Sequence, residues 1–76
     1  MAPAETPESG AVHCRLDELL AARGMTLTRL SELVGVSVVN LSVMKNDRAR
    51  AIRFSTLEAV CRALDCEIGE LFVLRR

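Results

Sequence analysis

The feature that most constrains this chain is a glycine placed between two short apolar stripes that each repeat at helical spacing. The first stripe runs from Leu27 to Val34 and the second joins Leu41 to Met44, with Gly35 between them. Glycine readily adopts the left-handed backbone conformation in which many helices end. The spacing therefore predicts two short helices connected by a tight turn.

Each of these two helices is preceded by a residue that can cap its N-terminus. Thr26 precedes helix 2, which is predicted to end at Val34. Ser37 precedes helix 3, which is predicted from Val38 to about Lys45. Threonine and serine are favoured at this position because the side-chain oxygen accepts a hydrogen bond from a free backbone N–H of the first turn.

The pair also meets the requirements of a helix-turn-helix that reads DNA. Such a motif needs a small residue on its first helix, a glycine in the turn and apolar residues that lock the two helices together. Ser31 is the small residue, and Leu30 and Val36 are apolar positions on either side of the turn. The complete spacing is more specific than a single glycine between helices, which any helical hairpin can contain.

Three further helices are predicted around this pair. In chain order they are helix 1 from Val12 to Arg23, ended by Gly24; helix 4 from Thr56 to Leu64, begun by a capping box over Ser55 to Glu58; and a short helix 5 over Ile68 to Leu71. The tail from Phe72 to Arg76 could equally form a short strand paired with Ile52 to Phe54. The predicted fold class is all-α, with five helices in a single domain over residues 11–76.

Residues 1–10 differ in composition from the rest of the chain. They are rich in proline, alanine, glutamate, serine and threonine and offer almost nothing to bury, so we predict a disordered arm. An arm that enters a DNA groove needs Arg or Lys, which this segment lacks. No apolar run approaches the roughly 18 residues that a membrane span needs, so we expect no membrane partner.

Charge is balanced overall but not along the chain. Ten basic and ten acidic residues give a net charge of zero, which argues against binding of nucleic acid by bulk charge. The segment from Lys45 to Arg53 nevertheless contains four bases and one acid, Asp47, a local net charge of +3. Such a cluster also occurs in ordinary solvated loops, but its place directly after helix 3 favours contact with a phosphate backbone.

The three cysteines, Cys14, Cys61 and Cys66, lack the spacing of a zinc site or a disulfide framework. We therefore expect free thiols in a reducing cytoplasm, and neither a metal nor another cofactor. His13 beside Cys14 is not expected to form a nucleophile pair, because adjacent residues on a helix point about 100° apart. The paired carboxylates of the chain lack a pocket signature for acid–base work, so we do not expect an enzyme.

Two segments resemble a known family. Helix 2, the turn and helix 3 of the Cro/C1-type (lambda-repressor-like, XRE family) regulators are similar to TLTRLSELVGVSVVNLSVMKND, and their helices 4 and 5 are similar to STLEAVCRALDCEIGELF. The resemblance covers roughly Leu16 to Phe72. It implies a lambda-repressor-like fold of five helices and a transcriptional regulator that binds double-stranded DNA with helix 3 in the major groove.

A homodimer on an inverted repeat is the expected assembly, because a symmetric site doubles the contact area of a small domain. Two surfaces are candidates for the contact between copies. One is the apolar tail from Leu71 to Leu74, and the other is the outer face of helix 4.

The resemblance also assigns candidate DNA-binding residues. On and before helix 3 they are Ser37, Val38, Val39, Asn40, Ser42 and Val43. The residues expected to contact the phosphate backbone without reading sequence are Lys45, Asn46, Arg48, Arg50 and Arg53.

Three of the helix 3 positions are valine, where family members often have Gln, Arg or Ser. Valine cannot form a hydrogen bond with a base edge, although it can contact the methyl group of thymine. The apolar face therefore leaves open a second function, in which helix 3 docks another protein, as in an antitoxin-like or anti-regulator subunit.

Overall fold

The structure is a computed structural model that describes residues 11–75; the arm predicted over residues 1–10 lies outside the described residues. Within the described range the chain forms a two-stranded antiparallel ribbon and five helices. In chain order the elements are β1 (Val12–Cys14), α1 (Leu16–Arg23), α2 (Leu27–Val34), α3 (Val38–Lys45), α4 (Phe54–Leu64), α5 (Ile68–Leu71) and β2 (Phe72–Leu74). The five predicted helices are present in the predicted order.

The boundaries of α2 and α3 agree with the sequence prediction. The hydroxyl of Thr26 accepts a hydrogen bond of 3.0 Å from the backbone N–H of Arg29. The hydroxyl of Ser37 accepts one of 3.1 Å from Asn40. Gly35 ends α2 with a φ of +72°, in the left-handed region that favours glycine. Between α2 and α3 the chain bends by 116°, within the range of about 90–120° for a helix-turn-helix.

The predicted start of helix 1 at Val12 is wrong. Residues Val12–Cys14 are extended as β1, and α1 begins only at Leu16. β1 pairs with β2 in antiparallel register, with Val12 opposite Leu74 and Cys14 opposite Phe72. The backbone groups of β1 are thus satisfied by the other end of the described chain, which the spacing of nearby residues cannot reveal.

The tail forms a strand, but with a different partner from the one predicted. β2 pairs with β1 and not with Ile52 to Phe54. Phe54 is already helical, as the first residue of α4. Beyond β2 the backbone N–H of Arg75 continues the ribbon by donating to the carbonyl of Ala11 at 2.6 Å. The ribbon therefore joins the two ends of the described chain.

Helix α4 begins earlier than predicted. It starts at Phe54 and not at Thr56, so Ser55 lies inside the helix and the predicted capping box there is wrong. Arg53 occupies the N-cap position without a side-chain cap, and its carbonyl accepts a hydrogen bond of 3.0 Å from the N–H of Thr56. The start of this helix is therefore defined by a backbone hydrogen bond to Arg53 and not by a side-chain cap.

The core gathers around α4, which contacts α1, α2 and α5. The buried residues of the core are Cys14, Leu16, Leu19, Leu20, Leu30, Leu41, Met44, Val60, Cys61, Leu64 and Leu71. The presence of Leu41 and Met44 confirms the predicted inner face of α3. No single helix among residues 11–75 is long and apolar enough to cross a membrane; α2 and α3 meet the requirements of length and composition only as a bent pair.

Candidate nucleic-acid interface

A hydrogen bond across the turn holds α2 and α3 in their crossed arrangement. The hydroxyl of Ser31, on α2, donates to the backbone carbonyl of Val36 at 2.6 Å. Leu30 of α2 and Leu41 of α3 are fully buried in the common core. The two helices are therefore held by apolar packing and by this bond, and the outer face of α3 has a defined orientation.

That outer face is apolar and accessible. Val39 is 70% exposed, and Val38 and Val43 are also exposed. Valine side chains on the solvent side of a helix do not contribute to the core, so they are free for contact with another molecule. In the major groove of DNA, the apolar group that such a face can contact is the thymine methyl.

A concavity of about 560 Å³ lies beside α3 and along the loop that follows it. The predicted DNA-binding residues that line it are Ser37, Asn40, Val43, Arg48, Arg50 and Arg53. Among residues 11–75 no acidic residue lines this concavity, so the three arginines of this range give it a net charge of +3. The N-terminus of α3 opens into the same space and adds the partial positive charge of free backbone N–H groups. The arrangement suits a polyanion.

The other five predicted DNA-binding residues lie outside this concavity: Val38, Val39, Ser42, Lys45 and Asn46. The ammonium group of Lys45 donates to a carboxylate oxygen of Asp17 on α1 at 3.3 Å. The side-chain amide of Asn46 donates to the hydroxyl of Ser42 at 3.4 Å. Lys45 is thus already paired with an acid, whereas the loop arginines line the concavity. Thr56 of α4 also lines it and was not predicted.

The one acid of the basic segment, Asp47, is bound by groups of the β1–β2 ribbon. Its Oδ1 accepts a hydrogen bond of 2.7 Å from the backbone N–H of Cys14. Its Oδ2 lies 2.9 Å from Nδ1 of His13 and also accepts from the guanidinium of Arg75. Burial acts to raise the pKa of the Asp47 carboxyl, but the hydrogen bonds from Cys14 and His13 and the charges of His13 and Arg75 hold it below its ordinary value.

In the sequence, Asp47 stands out only as the one acid that lowers the net charge of the basic segment. The available signal was its position two residues after the end of α3, since aspartate is one of the few residues other than glycine that tolerate the left-handed conformation at a helix end. Its partners come from both ends of the described chain. They could not be identified before the ribbon was known.

A second concavity, of about 670 Å³, lies between α4 and α5 and has the opposite charge. Its apolar lining includes Phe54, Leu57 and Ile68. Four acidic residues and one arginine border it, a net charge of −3. Phosphate groups would be repelled here, so the two concavities differ in the partners they can accept.

All three cysteines are free thiols. Burial raises the pKa of Cys14 to about 11, and burial together with the neighbouring Cys61 raises that of Cys66 to about 11. A thiol with such a pKa is protonated near neutral pH and is a poor nucleophile. Among the residues that the structure describes, no group of three or more His, Cys, Asp or Glu side chains is placed to hold a metal ion.

Crossed α2 and α3 helices beside a basic concavity define a DNA-binding helix-turn-helix domain. The model of the Cro/C1-type HTH DNA-binding domain family matches residues 15–75, and the chain belongs to this family. It is 49% identical over 65 residues to the uncharacterized HTH-type transcriptional regulator YozG of Bacillus subtilis (strain 168), an alignment that covers 86% of this chain and 77% of that protein. No solved structure matches the chain. The chain is therefore a DNA-binding transcriptional regulator.

Proposed function

We propose that this regulator binds double-stranded DNA with α3 in the major groove and with the loop of residues 46–53 on the flanking phosphates. One observation carries the proposal: Ser37 at the N-terminus of α3, Asn40 and Val43 on α3, and the loop arginines line a single concavity that no acidic residue of the described range 11–75 borders. The major groove, about 12 Å wide, accepts an α-helix. Basic residues beside an inserted helix then meet the phosphates at the edge of the groove.

Polar and apolar contacts to the bases come from different residues of α3. Asn40 and Ser37 supply hydrogen bonds, and an asparagine can form two of them with adenine. Val39 and Val43 supply contacts to thymine methyl groups. We therefore expect A·T pairs beneath α3. Lys45 adds a phosphate contact once it leaves Asp17.

The proposed assembly is a homodimer on an inverted repeat. Phe54, on α4, is 86% exposed. It also lines the α4–α5 concavity, together with the apolar residues Leu57 and Ile68. Contiguous exposed apolar surface of this kind marks a contact with another protein. Of the expected tail contact, Leu71 is fully buried and cannot serve, while Leu74 is 61% exposed. Sedimentation of Phe54→Ser and Leu74→Ser distinguishes the two surfaces, and a dimer that survives both changes would contradict both.

Selection of bound duplexes from a random pool tests the DNA-binding proposal. It predicts enrichment of an inverted repeat whose half-sites lie about 10 base pairs apart, one turn of DNA. The double variant Arg48→Ala/Arg50→Ala should enrich the same site more weakly, because phosphate contacts give affinity and not sequence. Enrichment of a single half-site would remove the homodimer from the proposal. Enrichment of no sequence would contradict reading by α3.

Regulation, and not catalysis, is the proposed role, and the cytoplasm is the proposed compartment. The free thiols support a reducing compartment, since disulfides form mainly in oxidising ones. The high pKa of Cys14 and Cys66 supports a packing role for these cysteines. Affinity for DNA should therefore be the same with and without a reducing agent or a chelator.

A second candidate function is docking of a protein on α3, and the exposure of Val39 favours it. The two functions differ in their response to salt. DNA binding releases counterions from the phosphates, so affinity for a random duplex should fall steeply as salt rises. A docking domain should show almost no such dependence.

A further inference from the structure

Asp47 stands where a negative charge should weaken the binding of DNA, directly before Arg48 in the basic segment. Its side chain is nevertheless only 20% exposed. The reason is that the carboxylate is bound at 2.7 Å by the backbone N–H of Cys14, lies 2.9 Å from Nδ1 of His13, and accepts from the guanidinium of Arg75. The negative charge is directed at the ribbon and is balanced there.

The backbone of Asp47 also ends α3. Its φ of +62° is in the left-handed region, which is uncommon for residues other than glycine. Its N–H donates to the carbonyl of Met44 at 3.1 Å, and the N–H of Arg48 donates to that of Val43 at 3.0 Å. This pair of bonds is a Schellman motif, in which the left-handed residue determines the direction of the chain beyond the helix.

We propose that Asp47 is a positioning residue for DNA binding: by tying the end of α3 to the β1–β2 ribbon, it holds Arg48 and Arg50 along the α3 concavity. Both arginines line that concavity. Residues 46–53 contain neither helix nor strand, so their path depends on such tertiary contacts. The inference rests on the phosphate role proposed above for the loop arginines.

The substitution Asp47→Asn tests this role because two explanations predict opposite signs. Asparagine has the same shape and tolerates the left-handed conformation, so α3 should end at the same residue, but the attraction for Arg75 is lost. Charge alone predicts tighter binding, since one negative charge near the phosphates is removed. Positioning predicts that Kd rises by about three- to tenfold at fixed salt and that its dependence on salt weakens, because fewer arginines meet phosphates.

Fluorescence anisotropy with a random-sequence duplex of about 20 base pairs, long enough for two half-sites, measures both quantities. Asp65→Asn is the matched control, since Asp65 also ends a helix in the left-handed conformation but lines the α4–α5 concavity. It removes the same charge at a distance from the α3 concavity, so the rise in Kd for Asp47→Asn should clearly exceed any change that Asp65→Asn causes, and equal changes would contradict the positioning role. Circular dichroism at the assay temperature checks that each variant is folded.

Arg75→Gln removes one of the three groups that bind the Asp47 carboxylate, without changing α3. It should raise Kd as Asp47→Asn does, and the two changes together should not add, because they break the same contact. Because Arg75→Gln also removes one base, the loss of charge alone would raise Kd as well. If Asp47→Asn does not fold, Arg75→Lys decides, since it keeps the charge but loses the planar guanidinium: the positioning role predicts a higher Kd, and a Kd equal to that of the wild type would overturn it. Binding by the folded variants as tight as that of the wild type, or tighter, would overturn the positioning role.

Arg48→Ala, measured in parallel, distinguishes a failure of the positioning role of Asp47 from a failure of the phosphate role of Arg48. If it weakens binding while Asp47→Asn and Arg75→Gln do not, only the positioning role is wrong. If Arg48→Ala itself has no effect, the phosphate role of Arg48 is wrong. The positioning role is then wrong as well, because it depends on that phosphate role.

Discussion

Nε of Arg23 donates a hydrogen bond of 2.5 Å to the backbone carbonyl of Leu64, which joins the end of α1 to the end of α4. Nη2 of the same guanidinium donates to the carbonyl of Asp65 at 3.1 Å. A helix leaves its last carbonyls without partners inside the helix, and they carry the negative end of its dipole. Arg23 therefore completes the end of the helix around which the core is built.

Arg23→Gln should lower the free energy of unfolding by about 1–2 kcal/mol, near the lower end of the range for hydrogen bonds to charged groups, because the site is partly exposed. Arg62→Gln is the control, because the side chain of Arg62 forms an exposed ion pair with Glu58 on the same helix and no other ion pair within residues 11–75. That change should cost about 0.5 kcal/mol or less. Urea unfolding measures both, and equal losses would contradict the role given to Arg23.

Ser31→Ala should destabilise the fold by about 1 kcal/mol, because the carbonyl of Val36 loses its donor in the turn between α2 and α3. Ser42→Ala is the matched control. Ser42 is also a helical serine, and in the described part of the chain its hydroxyl contacts only the amide of Asn46, at 3.4 Å. Because both serines lie in helices, the gain in helix propensity on changing to alanine is common to both variants. Thermal unfolding in which Ser31→Ala is as stable as Ser42→Ala would show that the turn does not need this bond.

Leu41→Ala should lose about 2–5 kcal/mol, since Leu41 is fully buried and its removal leaves a cavity. A loss of that size is a large part of the stability of a small domain. Leu33→Ala is the control on the neighbouring helix, because Leu33 is 48% exposed. The urea midpoint should fall much further for Leu41→Ala than for Leu33→Ala. Similar midpoints would place α3 in a different orientation.

The elements that could be predicted from the sequence are those whose signals are local. The start of α2 depends on the hydroxyl of Thr26 and the start of α3 on that of Ser37, and each hydroxyl contacts an N–H three residues away. The end of α2 depends on Gly35. No distant part of the chain is needed to recognise these boundaries.

The predictions that failed concern residues whose conformation depends on distant partners. Val12 and Leu16 have helical spacing, yet Val12 is in a strand because Leu74 lies opposite it. The same holds for the candidate site. The loop arginines were found from their charge, whereas the role of Asp47 depends on His13 and Arg75, which the ribbon brings to it.

The contacts of Asp47 also make stability depend on pH. The pKa of its carboxyl is below the ordinary value of 3.8 in the folded chain. A carboxyl with a lowered pKa stabilises the folded state above its unfolded pKa, and this contribution is lost as pH falls through the folded pKa. The wild type should therefore exceed Asp47→Asn in free energy of unfolding near neutral pH, and the difference should shrink below about pH 3.8. Urea unfolding of both proteins across this range would contradict the account if the difference stayed constant.

The central claim is that α3 reads bases while the loop arginines hold phosphates, and the salt dependence of DNA affinity for two kinds of variant tests it most directly. Arg48→Ala and Arg50→Ala should weaken binding to the selected site and to random duplex alike. Each should reduce the slope of log affinity against log salt by about one unit. Val39→Ala and Val43→Ala should weaken binding mainly on the selected site, with the slope unchanged.

Replacing a contacted thymine by uracil removes only the methyl group, so its effect should equal that of the valine change and should not add to it. This non-additive loss, seen on the selected site with an unchanged salt slope, is the result that the account predicts. If the valine variants and the uracil site bind as the wild type does while the arginine variants bind weakly, α3 is not the reader and the central claim is wrong.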